Sequence, residues 1–273
     1  MFRPAFSSPS SALIALATAI VPSVASATLI PAPHDSTKFI ASTSVVNNIS
    51  ITNDGGPLGS RVYFGTLNLS NNDLIVKPSP ATESAALSAL ANVTDMVRSC
   101  YDGGNWAGTG ITSSTAAADA AGTGTTSLGF PAPGITALGV ILNDDGSHVN
   151  PDGSGDPIWN TWDGIAVDQY SILVKYTFYG DTTLKGFVDA NDVSTVADNF
   201  GTGRGWANGE FNYTGGTVDS TDVDQVNESL ALQSEYGVQV RVPEPTTLVL
   251  AGSALIGLSF CRRRTRRRAV SVH

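Results

Sequence analysis

A run of sixteen uncharged, mostly apolar residues, from Thr246 to Cys261, is followed by six arginines within positions 262–268. As a helix this run would be about 24 Å long, slightly less than the ~30 Å hydrocarbon core of a bilayer. Its polar residues do not recur at the spacing of an amphipathic helix. Its glycine and alanine residues are typical of membrane helices. The pattern therefore predicts a short C-terminal transmembrane helix.

The charge of the chain is sorted into separate segments. The arginine cluster predicts a stop-transfer segment on the cytoplasmic side of a membrane. It consists of Arg262, Arg263, Arg264, Arg266, Arg267 and Arg268. Between Thr28 and Val242, eight Lys and Arg stand against 23 Asp and Glu, a net charge of −15. This acidic body argues against nucleic acid as a partner.

Residues 1–27 have the layout of a secretory signal peptide. They combine Arg3, the apolar run ALIALATAIVPSV and the small residues Ala25-Ser26-Ala27. This layout predicts export. Only two cysteines occur, and Cys261 falls at the inner edge of the predicted membrane helix, so no disulfide framework is expected. We expect Cys100 to be a small core residue rather than a nucleophile.

A short motif precedes the predicted membrane helix. It contains Pro243, Glu244 and Pro245. Together with the helix and the arginine cluster, residues 242–268 resemble the PEP-CTERM sorting signal. The resemblance implies an exosortase-type processing enzyme in the inner membrane of a Gram-negative bacterium. The tail would anchor the chain transiently and then be removed, leaving the body at the cell surface or in the extracellular matrix.

Residues 179–235 contain two similar units, each a polar loop followed by a short helix. Oxygen-bearing side chains at alternate positions, a glycine near position six and a carboxylate near position twelve are the features of a calcium-binding loop. The candidate ligands of the first loop are Asp181, Thr183, Asp189 and Asp192. Those of the second loop are Glu210, Asn212, Asp219 and Asp222.

The duplicated loop–helix pattern resembles a dockerin type I module, which implies calcium binding and a cohesin-like partner domain. The sequence departs from that pattern at several ligand positions. Lys185 stands at the fifth position of the first loop, and it is expected to swing outward so that water replaces it. The two alternatives are weak calcium sites, favoured in the second loop, or relic loops on a fold held by two apolar helices.

Residues 28–178 are predicted to form one mainly β domain, either a small sandwich or a short β-solenoid cap. The expected strands are 44–52, 61–69, 73–77 and 171–179. Ser70-Asn71-Asn72 is expected to be a hairpin connection. A helix is expected with Ser79 as its N-cap and with Leu87, Leu90, Val93 and Val97 on its buried side. The small-residue segment 108–129 is expected to be a surface loop that packs on Trp106.

The sequence predicts a protein that is not an enzyme, because no recognised catalytic motif occurs. His148 lies in a turn-rich loop, and nothing distinguishes the pair Asp163 and Asp168 as glycosidase carboxylates. Aromatic rings stack on sugars, but they more often fill the core of a β domain. The rings concerned are those of Trp106, Trp159 and Trp162. The alternatives are an extracellular polysaccharide-binding module and a small glycan-active enzyme.

Overall fold

The computed structural model describes residues 37–40, 42–123 and 134–236. The strands in this part of the chain are β1 (Thr37–Phe39), β2 (Ser44–Val46), β3 (Thr66–Asn68), β4 (Leu74–Val76), β5 (Gly110–Thr112), β6 (Thr136–Leu142), β7 (Thr161–Trp162), β8 (Ile165–Ala166) and β9 (Ile172–Phe178). The helices are α1 (Glu83–Tyr101), α2 (Ser114–Ala120), α3 (Ala190–Asp198) and α4 (Ser220–Tyr236). The predicted signal peptide, the sorting motif, the membrane helix and the arginine cluster lie outside the described residues.

The strands form two main sheets, and the chain passes repeatedly from one to the other. β1, β3 and β5 form a parallel three-stranded sheet. The second sheet has the order β2-β4-β9-β6, in which β2 and β4 are parallel and β9 is antiparallel to both of its neighbours. Parallel stacking of the successive passes β1-β2 and β3-β4 is the pairing of a solenoid rather than of an antiparallel sandwich. The prediction of a mainly β region is confirmed, although β2 and β3 are shorter than expected.

β6 and β9 form the centre of the core. They pair over seven residues, from Thr136 opposite Phe178 to Leu142 opposite Ile172, and nearly all their side chains are buried. Nearly continuous apolar runs of this kind suit a strand that is covered on both faces. α1 and the 3-10 turn Trp206–Asn208 both pack against β6. The core is therefore continuous from the sheets to the segment that follows β9.

The Trp162 side chain connects the β7–β8 hairpin to a buried ion pair of the second sheet. Lys175 Nζ lies 3.0 Å from Asp73 Oδ2, and Trp162 Nε1 donates to the same oxygen at 2.8 Å. The Lys175 ammonium also lies 4.8 Å from the centroid of the Trp162 ring. Burial raises the pKa of Asp73 to about 6, although Lys175 opposes the shift. Trp162 is thus held in the core by its ring and by its polar edge.

The predicted hairpin connection at residues 70–72 is wrong. The tight turn is present, because the Asn72 amide donates to the Leu69 carbonyl at 2.9 Å. However, β3 and β4 belong to different sheets, so the turn carries the chain from one sheet into the other. The Asn68 side chain accepts from the Ser70 amide at 2.8 Å and fixes the bend. Turn residues mark a change of direction, but they do not determine which strands pair.

Helix α1 begins later than predicted. Thr82, not Ser79, is the N-cap, since it is extended and its Oγ1 accepts from the Ala85 amide at 3.4 Å. Val93 and Val97 are buried as expected, but Leu87 is 48% exposed. In the first turn the buried face passes through Ala86 instead, which is fully buried. The helix ends at Tyr101, before Gly103-Gly104 as predicted.

In residues 108–123, the described part of segment 108–129, the chain is not the continuous surface loop that the sequence predicts. It contains β5 and α2, and Ile111 at the centre of β5 is fully buried. Gly110 has a φ of +126°, and a Cβ there would lie 2.2 Å from the Met96 carbonyl oxygen. This small residue lets β5 approach α1 closely. The expected contact with Trp106 exists, because Thr112 Oγ1 donates to the Trp106 carbonyl at 3.0 Å.

None of the helices in residues 37–40, 42–123 and 134–236 has the length and apolar character needed to cross a bilayer. The predicted membrane helix, residues 246–261, falls outside these ranges, so this finding does not bear on it.

Candidate functional site

Two loop–helix units follow β9, as the sequence predicts. The first loop (residues 181–189) leads into α3, and the second loop (residues 210–219) leads into α4. α3 and α4 pack against each other. The apolar residue near the middle of each helix is buried, Val196 in α3 and Val226 in α4. The duplication detected in the sequence is therefore a structural duplication.

Each helix is capped by a pair of carboxylates in the same way. In the first unit, Asp189 Oδ1 accepts from the Asn191 amide at 2.8 Å, and Asp192 Oδ2 accepts from the Asp189 amide at 2.8 Å. In the second unit, Asp219 Oδ1 accepts from the Thr221 amide at 2.7 Å, and Asp222 Oδ2 accepts from the Asp219 amide at 3.0 Å. These reciprocal bonds satisfy backbone donors that a helix start leaves free.

The second oxygen of each inner carboxylate reaches back to the start of its loop. Asp192 Oδ1 accepts from the Thr182 amide at 3.1 Å. Asp222 Oδ1 accepts from the Phe211 amide at 2.9 Å. Both carboxylates are buried, and they connect the beginning of each loop with the helix that ends it. Desolvation raises the pKa of Asp222, although its backbone hydrogen bonds oppose the shift.

The first acidic residue of each loop binds the amide four positions later. Asp181 Oδ1 accepts from the Lys185 amide at 2.9 Å, and Glu210 Oε1 accepts from the Thr214 amide at 2.7 Å. Burial raises the pKa of Asp181 to about 6. Burial also raises the pKa of Glu210, with a smaller contribution from the negative charge of Asp222. Lys185 and Thr214 therefore occupy equivalent positions in the two loops.

The side chains at these equivalent positions differ in charge, and Lys185 contradicts the sequence prediction. It was expected to swing outward, but its Nζ bonds to Asp192 Oδ2 and lies 3.6 Å from Asp189 Oδ2. Only 14% of the lysine side chain is exposed. The carboxylates attract the ammonium, and neutralising a buried carboxylate lowers the cost of its burial. The sequence prediction considered only the repulsion between the Lys185 ammonium and a bound metal ion, and it omitted this attraction to the carboxylates.

In the second loop, by contrast, Thr214 Oγ1 donates to Glu210 Oε1 at 3.0 Å. No ion pair within the described ranges involves Glu210, Asp219 or Asp222, all of whose hydrogen bonds there come from neutral donors. The nearby Arg204 instead donates to the Gly215 carbonyl at 3.0 Å.

The remaining predicted ligands are less central. The carbonyl of Thr183 accepts from Trp159 Nε1 at 2.9 Å, so this residue contributes to packing through its backbone. Asn212 Nδ2 donates to Asp222 Oδ1 at 3.3 Å. Across residues 37–40, 42–123 and 134–236, no three or more His, Cys, Asp or Glu side chains are grouped so as to hold a metal ion.

Trp206 supports both loops and was not singled out by the sequence analysis. Its Nε1 donates to the Asp181 carbonyl at 2.7 Å, and its ring lies 5.0 Å from that of Phe211. The Tyr213 hydroxyl donates to the Leu138 carbonyl in β6. Gln233 in α4 also binds the first loop, through both the amide and the carbonyl of Val188. The sequence signal that could have found Trp206 is its position shortly before two further aromatic residues in the stretch GEFNY.

The β region places the proposed sugar-stacking residues mainly in the core. Trp106 and Trp162 are 3% and 5% exposed, so the alternative of core packing is confirmed for both. Trp159 is half-buried and packs edge-on against Trp162. Binding of polysaccharide by other residues stays a prediction.

The candidate catalytic residues have structural partners. His148 Nδ1 lies 2.5 Å from the Gly153 carbonyl oxygen. Asp163 accepts from Thr43 at 2.6 Å, and Asp168 accepts from Ser171 at 2.7 Å. Burial raises the pKa of Cys100 to about 12, which suits a core thiol rather than a nucleophile. The bonds of His148 and Asp168 lie within turns, whereas the bond of Asp163 joins its turn to the segment before β2.

Comparison with known proteins identifies one segment of the chain. Residues 241–267 match the PEP-CTERM protein-sorting motif. The match confirms the predicted sorting signal and indicates an exported protein that is sorted by exosortase, with a membrane-associated tail before processing. No curated protein and no solved structure matches the chain.

Proposed function

We propose that this chain is a non-enzymatic protein of the cell surface or extracellular matrix, delivered there through removal of its C-terminal tail. The observation that carries the proposal is the sorting motif at residues 241–267. The signal-peptide pattern of residues 1–27 supports export by an independent feature at the other end of the sequence. The net charge of −15 between the two segments suits a hydrated surface protein.

The test is an intact mass of the protein recovered from the outer fraction of its own cells. We expect a product that begins near Thr28 and ends near Pro243. A matched variant, Glu244→Ala, should keep the tail and accumulate in the inner-membrane fraction. Recovery of a wild-type product that still contains Thr246 to Arg268 would overturn the sorting proposal, and the arginines would then be a permanent anchor.

We also propose that the two loop–helix units form a dockerin-like module that presents a surface to a partner domain. The support is the repeated pattern of hydrogen bonds, in which each loop is bound to the helix that follows it. A cohesin-like domain or an extracellular polysaccharide is the class of partner proposed. The test is a pull-down in which the purified full chain is the bait, and a chain lacking residues 210–236 is the control. The class of partner that only the full chain retains is the one that the module binds.

The fit to calcium differs between the two loops. The first loop does not fit, because the Lys185 ammonium lies against the carboxylates that would bind the metal. The second loop offers carboxylate oxygens from Glu210 and Asp222 with no cationic partner in the described structure. Oxygen ligands of this kind are those that calcium prefers. We therefore propose weak calcium binding by the second loop alone.

Calorimetric titration of the full chain with calcium chloride tests this site. We expect one weak binding event, which Glu210→Gln should reduce at least about tenfold, because a charged ligand is lost. The matched variant Asp181→Asn in the first loop should leave the affinity unchanged. Undetectable heat at millimolar calcium would show that the second loop is a relic.

A further inference from the structure

We propose that the Lys185 ammonium is a covalently attached counter-ion that replaces the metal ion of a calcium-type loop. The first unit would then fold independently of calcium. This inference concerns the first loop and does not depend on calcium binding by the second loop. It follows from the position of one side chain, from what surrounds it and from the equivalent position in the second unit.

The first step is the location of the charge. Lys185 Nζ bonds to Asp192 Oδ2, and Asp189 Oδ2 lies 3.6 Å away. These two carboxylates belong to the residues that cap α3. The ammonium therefore lies where the end of the loop meets the helix, which is the position at which the last ligands of a calcium loop bind the ion.

The second step is the enclosure of the ammonium. The Lys185 side chain is 14% exposed, and Asp192 is 1% exposed. The ring of Phe187 covers the ammonium, with its centroid 5.2 Å from Nζ. An aromatic face attracts a cation that has lost part of its water. The lysine is thus held by two carboxylates and a ring, unlike a solvated surface lysine.

The third step is the route by which the side chain arrives. The Lys185 amide donates to Asp181 Oδ1, which fixes the backbone at this position. From there the side chain turns toward α3 and reaches the two capping carboxylates. A metal ion would have to displace the ammonium from its Asp192 bond, and so it would compete with a group tethered to the same chain. A tethered group has an effective concentration in the millimolar range or above.

The second unit provides the internal comparison. Its backbone bonds follow the same pattern, but Thr214 stands at the position of Lys185, and its hydroxyl stays with Glu210. The pair Lys185 and Thr214 thus distinguishes a loop with its own counter-charge from a loop without one, which is one residue longer. The chain therefore offers its own matched control.

The experiment compares the wild-type full chain, purified in mild detergent, with Lys185→Thr and Lys185→Met. Thermal unfolding is measured in chelator and in millimolar calcium chloride. Amide NMR shifts of Gly186 and Thr214 report on the first and the second loop separately. We expect calcium to leave the Gly186 amide of the wild-type chain unchanged.

Both substitutions should lower the unfolding midpoint in chelator by roughly 6–12 °C, because each leaves a buried carboxylate without its cation. Calcium should restore much of the loss in Lys185→Thr and shift its Gly186 amide, since threonine supplies an oxygen and removes the competing charge. It should restore less in Lys185→Met, which supplies no oxygen. The Thr214 amide reports independently on the second-loop proposal, so failure there leaves this inference standing.

Three results would overturn the inference. They are a saturable calcium shift at Gly186 in the wild-type chain, an unchanged midpoint in both variants, and a loss in Lys185→Thr that calcium does not restore. If the Lys185 variants do not fold, the reciprocal variant Thr214→Lys decides. It should raise the midpoint in chelator and remove any calcium response of the second loop, and the absence of both effects would also contradict the inference.

Discussion

The two loop–helix units share a backbone arrangement and differ in how they balance charge. In both, a carboxylate at the third position of the helix binds the start of the loop and the amide of the N-cap. In the first unit Lys185 neutralises that carboxylate, Asp192. In the second unit the equivalent residue, Asp222, receives only neutral donors in the described structure.

The difference teaches that the hydrogen-bond framework and the charge balance of such a loop are separable. Backbone amides and carboxylates determine the path of the loop, and either an ammonium or an external cation could compensate the remaining charge. Removing one partner of a buried ion pair is costly, whereas a carboxylate bound only by neutral donors loses less when it is replaced. The two units should therefore respond differently to matched substitutions.

The largest expected effect comes from the residue that the two units share. Trp206→Ala should lower the free energy of unfolding by about 3–5 kcal/mol, because a large buried ring is lost and a cavity remains. Chemical denaturation measures this loss. Hydrogen exchange should show that the Gly186 and Thr214 amides lose protection together, since Trp206 contacts both units.

The control for this change is Phe200→Ala, which removes an aromatic ring that is 56% exposed. Its effect should stay within about 0.5 kcal/mol, as is usual for surface positions. Loss of protection in only one unit of the Trp206 variant would show that the units unfold independently. It would contradict the view that Trp206 supports both units.

The sequence predicted the duplication because its signals are local. Asp189 and Asp219, the glycines of the loops and the apolar spacing of α3 and α4 all lie within short segments. The carboxylates that the sequence predicts as calcium ligands instead cap α3 and α4, since such a side chain acts on amides two or three residues away. The mainly β character of residues 37–178 was likewise readable from local alternation of apolar and polar residues.

Contacts between distant segments could not be predicted in this way. The turn at residues 70–72 joins two sheets because β9, about a hundred residues later, pairs with β4. The burial of Ile111 depends on the close approach of β5 to α1. Such contacts follow from packing, and no short sequence pattern encodes them.

The second prediction compares the inner carboxylates directly. Asp192→Asn should cost about 3 kcal/mol, because Lys185 loses the nearer of its two carboxylate partners in a mostly buried site. Asp222→Asn should cost about 1 kcal/mol, since the amide oxygen can still accept one of the backbone bonds. Denaturation in the presence of chelator measures both losses without a contribution from metal ions.

A double-mutant cycle identifies the source of the difference. Combining Asp192→Asn with Lys185→Met should show coupling of more than about 1 kcal/mol, because the residues are in contact. The matched pair Asp222→Asn and Thr214→Val should show little coupling, since no bond joins these side chains in the described structure. Equal losses in the two single variants would contradict the distinction between the units.

The smallest expected effect is on the titration of Asp181. Burial raises its pKa to about 6, while the charge of Lys185 opposes that rise. Lys185→Met should therefore raise the pKa of Asp181 further, and carbon NMR of the carboxyl group measures the change. Because the folded-state pKa lies above the ordinary aspartate pKa of 3.8, the favourable contribution of protonated Asp181 is full below about pH 4 and is lost as the pH rises through 6. Thr214→Lys should act in the opposite direction on Glu210, whose pKa is raised by burial and by Asp222. If the pKa of Asp181 does not respond to Lys185→Met, the ammonium does not lie near the carboxylates of the first loop. The two units would then balance their charge in the same way.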